Sequence, residues 1–493
     1  MRGLRLIVGT SSLAIMAMTA GQAAAQVDEA GADEIRRGVE NYITQYLVTG
    51  PESEVTLQGD VEVTAEGDHY AVTLPTFIFG LQGPQLVVDP ILATLTPTAD
   101  DLIDVTWTMP SRYEVGAGGQ TMATMSIDAQ TAEGTFAPAF ETFTDLNFVL
   151  ERIELRPTQE EGAATVDTFS MVMDTEEVAP DRFDADFDVV LAGLDVDPGQ
   201  QDGVLSLDEI GLAGSISHLD MREYTMFGQQ LNQLMSAADM ENPRGPDPMV
   251  FGDIAALLRE TPNLFSDMDL TYRLHGLNFG DGQEGAQLGS ASAGMYVTGL
   301  DQPAGTIGFH ADMNELAIQP TPPFNNILPQ EVRAEVMLVD LPNEQLLNLL
   351  IDFLEQTSEM GPDMAGTMFM VGLQQAVMQS GASLEVPEIY VDLGVSEINF
   401  TGTVSPTASS PLGVVADATL TVSNMAGLIG ELQAMGPMGQ DVVQGLTVLQ
   451  TMGEVSQTGE GQSLHSYHFQ ATDAGQVLLN GNDMGPMMGQ LMQ

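Results

Sequence analysis

Arg182-Phe183-Asp184-Ala185-Asp186-Phe187-Asp188-Val189-Val190-Leu191 alternates apolar and acidic side chains with a period of two. Successive strand side chains point to opposite faces, so Phe183, Ala185, Phe187 and Val189 share one surface and Asp184, Asp186 and Asp188 the other. A strand of this kind belongs to an antiparallel sheet with one side buried and one in water. The same period extends outward in both directions. Upstream, Val61 and Val63 alternate with polar residues, Glu66-Gly67-Asp68 makes a turn, and Tyr70, Val72 and Leu74 resume: a hairpin. Downstream, Met268, Leu270, Tyr272 and Leu274 repeat the pattern, as do Ile307, Phe309, Ala311 and Met313.

Helical spacing interrupts the strands at defined places. Ile35, Val39, Ile43 and Tyr46-Leu47 form one stripe of an amphipathic helix, with Asp33 as its cap. Three times a strand runs into a capped helix. Ile216–Leu219 leads to Asp220, with Glu223 three residues on in capping-box spacing. Val336–Val339 leads through Asp340 and Pro342 into a helix over 343–357, and Leu420–Val422 leads through Asn424 into 425–435. These elements predict an α+β protein: a large curved antiparallel β-sheet with amphipathic, Met-rich helices packed on one face. Composition divides it into two lobes, 26–240 and 241–493, with Asn242-Pro243-Arg244-Gly245-Pro246 as the linker.

Residues 1–25 have the layout of a secretory signal peptide. Arg2 and Arg5 form the positive region, Leu6–Thr19 the apolar stretch, and Ala23-Ala24-Ala25 the cleavage site. The expected location is therefore the periplasm, with the extracellular medium as the alternative. After removal of this segment no stretch is long and apolar enough to span a bilayer. The chain has no cysteine, and all 13 basic residues are arginine. Losing residues 1–25 removes two arginines and no acid, leaving 11 against 70, a formal charge of −59. Such a surface excludes a nucleic-acid partner, which needs a basic footprint, and disfavours anionic membranes.

Toward the C-terminus a helix at 369–378 precedes alternating strands at 384–404 and 414–422. A helix pair follows at 425–452, then a closing strand ending Val477-Leu478-Leu479-Asn480-Gly481. This order, over the last third of the chain, resembles the YdgA-like family of bacterial envelope proteins and its alphaproteobacterial relatives. There a terminal strand ends in a similar Leu-x-Asn-Gly step, whereas Asn482-Asp483 stand here in place of Lys-Pro. The resemblance implies an envelope location and a mostly β fold, and no activity.

Two segments suggest ligands. From Asp197 to Glu209 the chain resembles the second half of an EF-hand loop, with Asp202 and Gly203 at positions five and six, Ser206 at nine and Glu209 at twelve. Asp202 and Glu209 are accordingly candidate calcium ligands, although Pro198 and Gln200 occupy the places of the leading carboxylates. Methionine recurs in Met435-Gly-Pro-Met438, Met484-Gly-Pro-Met487 and Met360-Gly-Pro-Asp-Met364. Its flexible thioether fills irregular cores, lines accommodating grooves or binds Cu(I). The helix over 343–357 is apolar nearly all round, which requires burial on more than one side, and with the Met-rich segment at 360–378 it nominates Leu350, Met364 and Met368 as groove residues. His465 and His468, three apart on a strand, point to opposite faces and cannot share an ion.

The absence of lysine and cysteine removes P-loop, Schiff-base, Ser-x-x-Lys and thiol chemistry. No cofactor beyond calcium is expected. The leading expectation is a non-enzymatic periplasmic protein that binds a lipid-like apolar ligand or an envelope partner. The alternatives are a carboxylate-dependent hydrolase and a calcium-stabilised structural protein of the cell surface.

Overall fold

The computed structural model describes residues 27–43, 55–80, 84–99, 101–118, 120–140, 142–158, 162–199, 203–237, 248–261, 264–280, 284–322, 324–436, 439–459 and 461–485. The chain is a strand-rich α+β protein that separates into two compact units. One comprises the residues up to Gly214 with Phe279–Asp281; the other comprises Ser215–Asn278 with Gly282–Gln493. Composition places the boundary at 240/241. The described helices either side of 242–246 end at Ala237 and begin at Pro248, so the Pro/Gly-rich stretch joins two helices of the second unit and itself lies outside the described residues.

The first unit opens with α1 (Glu29–Tyr42), whose stripe Ile35, Val39 and Ile43 is buried. Its cap is Asp28, which accepts the Gly31 N–H at 2.9 Å, while Asp33 engages Arg36 at 2.9 Å. The helix thus starts one turn earlier than the apolar spacing predicts. Strands β1 (Val55–Gln58) to β8 (Arg112–Ala117) are short; β9 (Gln120–Ala137), β10 (Thr142–Pro157), β11 (Ala163–Ala179) and β12 (Arg182–Asp197) are long. The first eight comprise β2 (Glu62–Glu66), β3 (His69–Thr73), β4 (Thr76–Gly80), β5 (Gln85–Val88), β6 (Leu92–Pro97) and β7 (Ile103–Thr108) between those ends. The hairpin read around Gly67 is β2–β3.

One edge of β9 pairs along its length with β10, which continues to β11 and β12. Its other edge forks: the first half carries β8–β5–β4–β1 and the second half β7–β6–β3–β2, all antiparallel. The apolar residues of both branches belong to one core. Tyr70, Leu95, Ile103 and Phe136 are fully buried there, each such burial stabilising by roughly 1.5–3 kcal/mol. Trp107 stacks on Phe148 at 6.0 Å, and the Phe143 ring lies so close over Gly134 that a Cβ there would meet it at 3.0 Å. Beyond the fork burial thins. Of the apolar face of β12 only Phe183 is buried, while Ala185, Phe187 and Val189 are half-buried.

In the second unit β15 (Gly285–Thr298), β16 (Ala304–Gln319), β17 (Glu331–Pro342), β18 (Ser383–Asp392), β19 (Glu397–Pro406) and β20 (Val414–Ser423) pair successively and antiparallel. After β21 (Glu454–Gln457) comes β22 (Ser463–Ala471), which pairs with β20; its outer edge takes β21 and β23 (Val477–Leu479) at different points. A two-residue turn joins β23 to β24 (Asn482–Asp483).

Helical hairpins are inserted between strands. Helices α2 (Met221–Ala237) and α3 (Pro248–Glu260) separate β13 (Val204–Asp220) from β14 (Asp267–Gly280). Helices α4 (Asn343–Met360) and α5 (Pro362–Ser380) separate β17 from β18, and α6 (Met425–Ala434) and α7 (Gln440–Met452) separate β20 from β21. Each strand-to-helix junction carries a non-glycine residue with left-handed φ: His218 (53°), Asp340 (56°) and Asn424 (43°). The Asp220 carboxylate accepts the Glu223 N–H at 3.0 Å and Asn424 caps α6, whereas α4 starts after Pro342 with no side-chain cap, so all three junctions share the left-handed residue and two of them the cap. Among the described residues no helix is long and apolar enough to cross a membrane.

Candidate functional site

Strand register turns the alternation of the second unit into two continuous surfaces. On one, Phe309, Val336, Val386, Gly402, Ala418 and Phe469 follow one another across β16, β17, β18, β19, β20 and β22. A one-residue bulge around Pro387 in β18 restores the phase of this row, since Glu335 faces Glu388 but Met337 faces Glu385. A second row, Ile307, Leu338, Leu384, Val404, Ala416 and Ala471, runs beside it. The surface is therefore apolar over six strands, about 24 Å across five strand spacings.

Among the described residues, α6 and α7 cover one part of this face. Met425, Ile429, Val443, Leu446 and Leu449 of α6 and α7 pack on Ile398, Leu420, Val422 and Tyr467. Tyr467 donates its hydroxyl to the Leu449 carbonyl at 2.9 Å, which ties α7 to β22. The two rows above lie outside that patch. Phe309 is 52% exposed, and Leu338, Leu384 and Phe469 are also exposed. Between the two phenylalanines stand Val336, Val386, Gly402 and Ala418, and a Cβ on Gly402 would stand 2.9 Å from that of Ala418. An apolar row with an exposed aromatic residue at each end results.

The opposite surface is polar and internally bonded. Tyr296 lies across Gly308 and donates its hydroxyl to Glu335 at 3.0 Å; burial and that carboxylate push its pKa up to about 12. Arg333 sits 4.6 Å above the Tyr390 ring and reaches Glu331 at 3.1 Å and Glu388 at 3.7 Å. Gln470 and His468 both bond Asp417, at 3.0 and 2.9 Å, and hold its carboxyl below the usual range. A shallow open cavity of about 330 Å³ lies here, lined by Glu385, Thr401, Thr403, Asp417 and Thr419 among others. A similar one of about 320 Å³ lies between α3 and α4 and is lined by Asp352, Glu355 and Glu359. Both are acidic.

The residues nominated from sequence are dispersed. Met364 is 60% exposed on α5, and Met368, one turn on, is exposed beside it. Leu350 is exposed on α4, whose contact with α5 is made instead by Phe353 against Phe369 (5.4 Å) and by Leu349 over Gly372. Both helices pack on β17. Glu209 lies within β13, where Ser206, three residues before it, faces the other side of the strand. Asp202 lies outside the described residues, and no described cluster of three or more acidic or histidine side chains could hold a metal. His465 and His468 do face opposite sides: His465 is buried beside Val422, and His468 meets Asp417.

No protein-family model, curated protein or solved structure matches the chain.

One cluster has the composition of a hydrolytic triad without its order. The Ser266 hydroxyl lies 3.2 Å from His218 Nδ1 and 2.6 Å from Asp267 Oδ2. The carboxylate thus engages the serine rather than orienting the imidazole, and Ser266 is buried at the β13–α2 junction. It fastens that junction. The sequence nominates the methionine helices as the apolar site, and Phe309 enters it only as one member of a strand alternation.

Proposed function

We propose that this chain is a non-enzymatic protein of the bacterial envelope that holds a lipid-like amphiphile against the open apolar face of its second unit. The observation that supports the reading is the pair of apolar rows in which Phe309, Leu338, Leu384 and Phe469 are exposed and the remaining members half-buried among the described residues. A monomer rarely leaves a contiguous apolar patch in water unless something binds there. An acyl chain laid along the rows would cover both rings and the residues between them. The export segment 1–25 and the likeness to YdgA-like envelope proteins fit a compartment bounded by lipid. Leu350, Met364 and Met368 belong to this reading as an adaptable flank on α4 and α5, the helices packed on β17, because unbranched thioethers repack around ligands of different shape.

Titration of delipidated protein with an environment-sensitive apolar dye tests the proposal. Wild type is expected to bind saturably. The double variant Phe309→Gln/Phe469→Gln should lose most of that binding while its melting curve barely moves, since exposed substitutions usually change stability by within about 0.5 kcal/mol. Met364→Gln and Met368→Gln should weaken binding less. Absence of saturable binding by wild type, or undiminished binding by the double variant, overturns the reading.

A further inference from the structure

We infer that Asn480 is a modification site: it deamidates through a succinimide with Gly481 once the closing hairpin opens, and the fold holds it back from that reaction until then. Asn480-Gly481 is the one Asn-Gly step in the chain. Glycine has no Cβ to shield its peptide nitrogen, so ring closure onto that nitrogen is least hindered at such a step. The Gly481 nitrogen gives up its proton to solvent base and attacks Asn480 Cγ. The new C–N bond closes a five-membered ring, and the side-chain amide takes up a proton and leaves as ammonia. Water then opens the ring at either carbonyl, which yields aspartate or isoaspartate. Water is the only co-reactant.

The two residues of the turn stand in opposite conditions. Gly481 is exposed at φ 73°, with nothing within 4 Å of where a Cβ would be, so solvent base reaches its peptide. The Asn480 side chain is half-buried and turned onto neighbouring elements. Its oxygen accepts the His468 N–H at 2.7 Å, and its nitrogen donates to the Met452 and Ser466 carbonyls at 3.2 and 3.3 Å. Ring closure swings Cγ back over its own peptide and breaks all three bonds, and the departing nitrogen is the atom that makes two of them. The reaction therefore waits for a local opening of β22, β23 and the end of α7. Its product cannot rebuild the junction. Aspartate at 480 has no N–H for Met452 or Ser466. Isoaspartate adds a carbon to the main chain of a two-residue turn whose register is set by Leu479 facing Asn482. One opening is thus recorded irreversibly, as release of the final hairpin from α7.

Peptide mapping of position 480 tests this, on intact protein held in mildly alkaline buffer with and without urea above its denaturation midpoint. In urea the site should convert chiefly to isoaspartate. The folded protein should convert at least about tenfold more slowly, because three hydrogen bonds must break first. Tyr467→Phe, which removes the hydroxyl bond tying α7 to β22, should raise the folded-state rate and leave the rate in urea unchanged. Gly481→Ala should slow conversion in urea severalfold, since a methyl group then shields the attacking nitrogen. No conversion at 480 in urea, or a rate there that Gly481→Ala leaves unchanged, overturns the site. Equal wild-type rates with and without urea overturn its protection by the fold.

Discussion

Asn480 does more than close a turn. With Gly481 it forms the two-residue turn between β23 and β24, at φ 49° and 73°, and asparagine tolerates that left-handed region better than most residues. Its side chain also accepts the His468 N–H at 2.7 Å and donates to the carbonyls of Met452 and Ser466 at 3.2 and 3.3 Å. One residue therefore links the end of α7, two points of β22 and the final hairpin. Asn480→Ala should destabilise the protein by about 2–3 kcal/mol, from lost hydrogen bonds at roughly 1 kcal/mol each and the left-handed backbone cost. Asn480→Asp keeps the acceptor and loses both donors, so its urea midpoint should fall between those of wild type and the alanine variant. Equal midpoints for the two variants would mean that the acceptor contributes nothing.

At the scale of elements, the three strand-to-helix junctions separate what was legible from what was not. Asp220 and Asn424 are readable because capping is local: a short polar side chain stands where strand period gives way to helix period. The hairpin at Gly67 and the strand at 182–191 are readable for the same reason. The fork of β9, and the apolar rows that include the exposed Phe309 and Phe469, depend on which strands meet across long sequence separations, and no local pattern encodes that register. The candidate site was legible as a class of surface and not as a place. The junctions also differ in what they should cost to break. Asp220→Ala removes one cap and should cost about 1 kcal/mol. Asn424→Ala removes the cap to Gly427 and the 2.9 Å bond to the Val395 carbonyl, and strains a φ of 43°. It should cost about twice as much, read as a lower denaturation midpoint with unchanged slope.

The whole molecule carries a formal charge of −57, and charge so far from zero strains any compact state by self-repulsion. The first unit shows it in miniature. Asp145 faces Asp174 in the next strand, and partial burial, Asp174 and Glu133 together raise its pKa above the usual carboxylate range. A carboxyl with a raised folded pKa adds stability at low pH and loses it as pH rises through that value. Asp145→Asn should therefore raise the denaturation midpoint at pH 7, by a few tenths of a kcal/mol for so exposed a group, and the gain should vanish below about pH 4. The same repulsion predicts that the melting temperature climbs with sodium chloride, since screening shortens the reach of every acid pair. Calcium and magnesium at matched ionic strength and valence should then act alike, because screening does not distinguish them, and Asp202→Ala should respond as wild type does. A calcium-specific rise that disappears in Asp202→Ala would instead establish a site at the half EF-hand ending in Glu209, and would make the acidic surface a ligand rather than only a solvated skin.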